Sequence, residues 1–176
     1  HKGFDSIGGT VTGYVVPDAT NTLAYQINSS NQSAGYYIGG DGLTHGYLRD
    51  ADGNLTFPID PAGSTGTILF GNNDSNWVVG RYSDEFGVTH GLFFITPDDI
   101  LTWDFPDAAG FTSLNGINQE GYICGRYADA NGNEHGFVAK VNPNAADEPQ
   151  RSTPPLAPVK AVKPSPERSG IGAPAS

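Results

Sequence analysis

Apolar positions fall in short bursts separated by clusters of Gly, Asn, Asp and Pro. The bursts are rich in β-branched and aromatic residues, and none sustains a helical period. In the middle of the chain, residues 77–82 and 91–95 read as strands joined by the turn Asp84-Glu85-Phe86-Gly87. Residues 100–105 follow after Pro97-Asp98-Asp99, and residues 113–117 after Pro106-Asp107. Asn118-Gln119-Glu120-Gly121 then leads into a strand at 122–127. The turn residues supply positive φ and local hydrogen bonds, while the bursts suit a pleated, half-buried surface. The pattern predicts an all-β chain. No apolar run is long enough to cross a membrane as a helix.

The strands recur with a fixed period. His-Gly followed by apolar residues occurs at His45-Gly46-Tyr47-Leu48, His90-Gly91-Leu92-Phe93 and His135-Gly136-Phe137-Val138, 45 residues apart each time. The same offset carries Gly80-Arg81-Tyr82 onto Gly125-Arg126-Tyr127, Asp84 onto Asp129, Gly87 onto Gly132, Pro61 onto Pro106 and Gly71 onto Gly116. A period of this length, with four strands per unit, is that of propeller blades.

The unit resembles the HAF-type extracellular repeat, whose pattern runs Gly-Ile-Asn, a small turn, a Val-Val-Gly-x-Tyr strand, His-Gly-Phe, then a Thr-x-Asp-x-Pro strand. Here Gly116-Ile117-Asn118, Gly125-Arg126-Tyr127 and His135-Gly136-Phe137 carry the match, with Thr102-Trp103-Asp104-Phe105-Pro106 for the last segment. The first copy departs from it: the turn at Gly40-Asp41-Gly42 reads as four residues shorter. The resemblance spans roughly residues 10–141. It implies a propeller-like fold in a bacterial secreted or surface protein, and no enzymatic activity.

The phase of the repeat sets the expected architecture. Residues 10–16 and 22–27 match strands three and four, two whole units follow, and 122–127 with 135–141 supply strands one and two. That makes about three four-stranded antiparallel blades, one of them split between the termini. Propellers close with such a split blade but use four to eight blades, so three do not close a normal ring. The half-blades then leave open sheet edges, which proteins seldom leave bare. Strands one and two of one chain fit strands three and four of the next, a head-to-tail contact that yields a ring or a filament.

Composition divides the chain near residue 141. Residues 142–176 hold eight of the 13 Pro and none of the aromatics, and carry four bases against three acids. With a total net charge of −10, the body at 1–141 is left at −11. A segment without aromatic bulk buries too little to offset its ordering entropy, so 142–176 reads as a Pro-rich extended tail. Its Lys160, Lys163 and Arg168 complement an acidic neighbouring body, the alternative being a flexible stalk or linker. The acidity of the body argues against nucleic acid and anionic membranes as partners. A start at His1 and the absence of Met fit a processed, secreted protein. The sequons at Asn28, Asn31, Asn54 and Asn73 allow glycosylation. One cysteine, Cys124, excludes an intrachain disulfide and, at the position of Val79, reads as a small core residue.

Each candidate site has a plainer reading beside it. His45, His90 and His135 recur once per unit, either as ligand positions or as fasteners of a turn; Gly80, Gly125, Arg81 and Arg126 belong to the same signature. Asp50 and Asp52, and Asp129, Asn131 and Asn133, offer oxygens around a Gly as calcium loops do, yet Asp-x-x-Gly is also ordinary turn chemistry and the EF-hand spacing is absent. The adjacent acids Asp84/Glu85 and Asp98/Asp99 lie in turns, and no nucleophile or phosphate-loop motif is present. Tyr36, Tyr37, Trp77, Tyr82, Trp103 and Tyr127 either stack on sugars or fill the space between blades. The sequence thus points to a non-catalytic extracellular structural or adhesive protein that assembles with itself, the alternative being a lectin-like module that binds glycans. No cofactor is expected beyond an optional Ca²⁺.

Overall fold

The computed structural model describes residues 1–141 and 156–158. It is all-β, with no helix among the described residues. An antiparallel hairpin of β1 (Gly3–Ile7) and β2 (Thr10–Tyr14) comes first. Three antiparallel groups follow. The first holds β3 (Asn21–Ile27), β4 (Ser33–Ile38), β5 (Thr44–Arg49) and β6 (Leu55–Ile59). The second holds β7 (Gly66–Asn72), β8 (Val78–Ser83), β9 (Thr89–Phe94) and β10 (Leu101–Trp103). The third holds β11 (Thr112–Ile117), β12 (Tyr122–Ala128), β13 (Glu134–Val141) and β14 (Leu156–Pro158).

The groups begin one strand earlier than the sequence reading placed them. Strand four of each repeat pairs with strand one of the next, as β7 with β8 and β11 with β12. The reason is turn length. Asn118-Gln119-Glu120-Gly121 is a tight reversal closed by the Gly121 N–H to the Asn118 carbonyl at 3.2 Å, which makes its flanking strands antiparallel neighbours. Strand three to strand four is a looser crossing, and it joins groups only through a parallel bridge. Thr44 pairs with Gly66, and 45 residues on Thr89 pairs with Phe111. The first and last described strands therefore do not share one sheet. The N-terminal strands form their own hairpin with the unforeseen β1, and residues 156–158 add a fourth strand to the third group. The rest of the Pro-rich tail lies outside the described residues.

The turn at Gly40-Asp41-Gly42 is not shortened. Tyr37 pairs with His45 in the register that joins Tyr82 to His90 and Tyr127 to His135. What differs is the residue at the turn's start: Gly39 stands where the other units have Asp84 and Asp129. Asp41 replaces that acid from two positions further on.

Three apolar clusters lie between successive elements. Val16, Tyr37 and Tyr47, with Tyr14 and Leu55 against them, seal the hairpin to the first group. Ala34, Leu48, Ile59, Leu69, Val78, Leu92 and Phe94 lie between the first and second groups. Val79, Phe93, Trp103, Leu114, Ile117, Ile123, Ala139 and Val141 lie between the second and third. Burying one such side chain contributes roughly 1.5–3 kcal/mol, so these contacts hold the groups face to face. Trp103 thus fills space between the second and third groups, and Tyr37 between the hairpin and the first.

Candidate functional site

Each signature histidine ties three pieces of chain together. His45, His90 and His135 stack on Tyr37, Tyr82 and Tyr127 of the neighbouring strand, with ring centroids 5.1 Å apart in all three units. One ring nitrogen meets the turn acid: Nε2 lies 3.2 Å from Asp41, 3.4 Å from Asp84 and 2.9 Å from Asp129. In the first two units Nδ1 meets a second acid on the outer side, Asp60 at 2.6 Å and Asp104 at 2.7 Å. Burial disfavours charge on His45 and His90, but the flanking carboxylates outweigh it and hold both pKa values above the ordinary imidazole range.

The turn acids are shared with backbone. Asp84 accepts the N–H groups of Phe86 and Val88, and Asp129 those of Asn131 and Asn133. Asp129 is held well below the usual carboxylate range, chiefly by His135 and then by the Asn133 N–H. Gly42, Gly87 and Gly132 close the three turns at φ of 81, 80 and 81°, where a side chain would be strained. Asp50 likewise accepts from the Asn54 N–H and side-chain amide, each at 2.8 Å. The Asp50 and Asp129 loops are thus hydrogen-bonded turns. Among the described residues no group of three His, Cys, Asp or Glu is placed to hold a metal ion.

Gly80 and Gly125 answer to a neighbouring strand. Each faces a β-bulge, at Leu69/Gly71 and Leu114/Gly116, which turns a carbonyl inward. A Cβ at Gly80 would meet the Ile68 carbonyl, and one at Gly125 the Ser113 carbonyl. Arg81 and Arg126 pack on aromatic rings. Phe111 lies 5.8 Å from the Arg81 guanidinium and 5.0 Å from that of Arg126, which also pairs with Glu134 at 2.7 Å.

A ladder that sequence reasoning missed crosses the groups. The Asn28 side-chain amide donates to the Asn73 carbonyl at 3.0 Å, and that of Asn73 donates to the Asn118 carbonyl at 3.0 Å. Beside it the Ser29 N–H donates to Asp74 and the Asp74 N–H to Gln119. Asn28 and Asn73 are buried, so two of the four sequon asparagines are already engaged. The 45-residue spacing of these Asn residues was the available signal.

The ladder runs out at the third group. Asn118 uses its side-chain oxygen to accept the Glu120 and Tyr122 N–H groups, and its amide has no acceptor among the described residues. Among the described residues nothing covers the sheet face beside it. Ala34 and Val79 are fully buried, but Cys124, their counterpart, is exposed, contrary to the core role read from sequence. Leu48 and Phe93 are 8% and 3% exposed, and their counterpart Val138 is 48% exposed. Val79 is covered by the third group; Cys124 has no fourth group in the described chain.

No protein-family profile, curated protein or solved structure matches the chain.

Proposed function

We propose that this is a non-catalytic structural or adhesive protein of the bacterial cell exterior, built of HAF-type repeats, whose chains add head to tail. Its groups act as propeller-type blades, and the joint between chains covers the open face of the third group. The carrying observation is the outward face of the third group. It keeps apolar residues at 124 and 138 and an unspent ladder amide at Asn118, matching what the first two groups bury against their successors. The histidines are fasteners of the unit in this reading, which needs no metal.

The test is sedimentation and negative-stain microscopy of the purified chain across concentration. Rings or filaments that dissolve on dilution support head-to-tail addition; a monodisperse single chain at high concentration overturns it.

A second reading, a glycan-binding module, rests on Tyr25. That ring is 52% exposed, stacks on Tyr36 at 5.8 Å and meets Phe70 edge-on at 5.1 Å, which leaves an aromatic platform open to a sugar face. Glycan-array binding by dispersed chains, lost in Tyr25→Ala, would favour it.

A further inference from the structure

The hairpin at the N-terminus contains a stand-in. β2 lies 45 residues before β6, residue for residue, and so is a third strand of the repeat unit. In the first group the second strand places Gly46 opposite Ile59; in the second group Gly91 faces Trp103. β1 sits in the equivalent seat against β2, with Gly3 opposite Tyr14. It lacks the second strand's signature, because Lys2 stands where His45 and His90 precede their glycines. Phe4 is 65% exposed, and β1 pairs as a strand with β2 alone, tied to β3 only through His1 before it, whose carbonyl accepts the Thr22 N–H at 3.2 Å and whose ammonium donates to Asn21. A two-stranded sheet of this kind is marginal by itself.

At the other end β13 carries the full signature, but among the described residues no third strand lines most of its outer edge. β14 reaches only Ala139, Lys140 and Val141. Glycine shows the same vacancy in the design. A Cβ on Gly46 would meet the Ile59 carbonyl at 2.8 Å, and one on Gly91 the Trp103 carbonyl at 2.5 Å. Next-group leucines crowd both sites as well, Leu69 at 3.0 Å and Leu114 at 3.0 Å. At Gly136 the nearest atom is 3.9 Å away. Gly136 has room for a strand and a leucine-like neighbour that the described residues do not provide.

We propose that β13 of one chain displaces β1 and pairs, ahead of the stretch that β14 occupies, with β2 of a second copy, so that the incoming β2 joins the sheet of β11, β12 and β13 across the joint. This rests on the head-to-tail reading and adds its device: β1 guards the seat until a partner arrives. The occupant is a second copy because its first group brings the rest of the match. Asn28 of that copy offers the carbonyl that the Asn118 amide needs, as Asn73 and Asn118 do within the chain. Repeat equivalence sets the register, with Gly136 opposite Tyr14 and, from Leu48 opposite Thr56, Val138 opposite Val11. Strand-for-strand exchange nearly conserves hydrogen bonds, so the net gain is apolar. Val11 at 66% exposure and Val138 at 48% are two of the side chains it covers.

The test is a staple on β1. Ser6 and Val11 are cross-strand partners, so Ser6→Cys with Val11→Cys, in a Cys124→Ala chain, locks β1 onto β2 when oxidised. Cys124→Ala alone, which restores the residue type of position 34, is the reference. We expect the oxidised staple to lower the sedimentable fraction at least tenfold, and reduction to restore it. A stapled chain that assembles as well oxidised as reduced overturns the exchange while leaving head-to-tail addition standing. A reference chain and a wild-type chain that both fail to sediment overturn both. In a mixture of Val11→Cys and Val138→Cys chains, each with Cys124→Ala, oxidation should give a two-chain product. Replacing the first by Phe86→Cys, at a site 82% exposed, should not; equal yields in the two mixtures would also overturn the register.

Discussion

The side-chain amide of Asn28 donates to the main-chain carbonyl of Asn73, one repeat further along, at 3.0 Å. Asn73 does the same to Asn118, so the bond is a property of the repeat and its direction is fixed: each unit donates to its successor. Asn73 also caps its own turn, accepting the Ser75 N–H at 3.0 Å and the Trp77 N–H at 3.1 Å. A buried side chain with both ends engaged is costly to remove. Asn73→Ala should destabilise the chain by about 2–3 kcal/mol, since it leaves buried donors and an acceptor unpaired. Chemical denaturation checks this, and Asn118→Ala, at an exposed rung, should cost less.

The glycines of the His-Gly pairs are expected to differ by position. Gly91→Ala drives a Cβ into the Trp103 carbonyl and Leu114, at a cost of about 2–4 kcal/mol. Gly136→Ala makes only an ordinary 3.9 Å contact with the Gly125 carbonyl in the dispersed chain and should change its stability by less than about 0.5 kcal/mol. Thermal unfolding of dispersed chains separates the two. Equal losses would mean that Gly136 is already crowded.

Much of this was legible from the period. The offset of 45 residues located the repeating strands, most of their turns and the signature His, Gly, Arg and Tyr positions, because those features repeat within one unit, but it misread the Gly40-Asp41-Gly42 turn as short. Three things were not. Sheet grouping depends on which connection is tight, and strand order alone does not say. Asp41 serves the role of Asp84 from a different position, since Gly39 leaves room for its carboxylate to fold back: a Cβ there would lie 2.7 Å from Asp41 Oδ1. Cys124 reads as core because Val79 is core, but burial belongs to the neighbour and not to the residue.

Stability should depend on pH through the fasteners. His45 and His90 have raised pKa values, burial opposing and their carboxylates favouring the charge. Their contribution is full below the unfolded value near 6.5 and is lost as pH rises through the folded values. The turn acids act at the other limit. Asp41, Asp84 and Asp129 have lowered pKa values, the Leu43 N–H acting first on Asp41, backbone N–H groups outweighing burial at Asp84, and His135 acting first on Asp129. Their contribution is present above the ordinary carboxylate value near 4 and is lost as pH falls below it. The melting temperature should therefore peak between about pH 4 and 6.5 and fall on both sides. In His45→Ala the decline above pH 6.5 should shrink, whereas a profile identical to wild type would remove His45 from the account.

The histidines should also rank by their partners. His90 holds two carboxylates and His135 one, so His90→Ala should lose more, about 1 kcal/mol or a few degrees in melting temperature. Calorimetry at pH 6 on dispersed chains checks the order.

Head-to-tail addition makes one demand that a single thiol can report. Cys124 is the chain's only cysteine and is exposed on the face said to receive the next copy. Its rate of maleimide labelling should be measured from dilute to concentrated protein, with sedimentation recorded on the same samples. The account expects fast labelling in the dispersed chain and at least tenfold protection in the assembled fraction. Labelling that stays equally fast in sedimented material would show that the third group's face is not the joint, and would contradict the central claim.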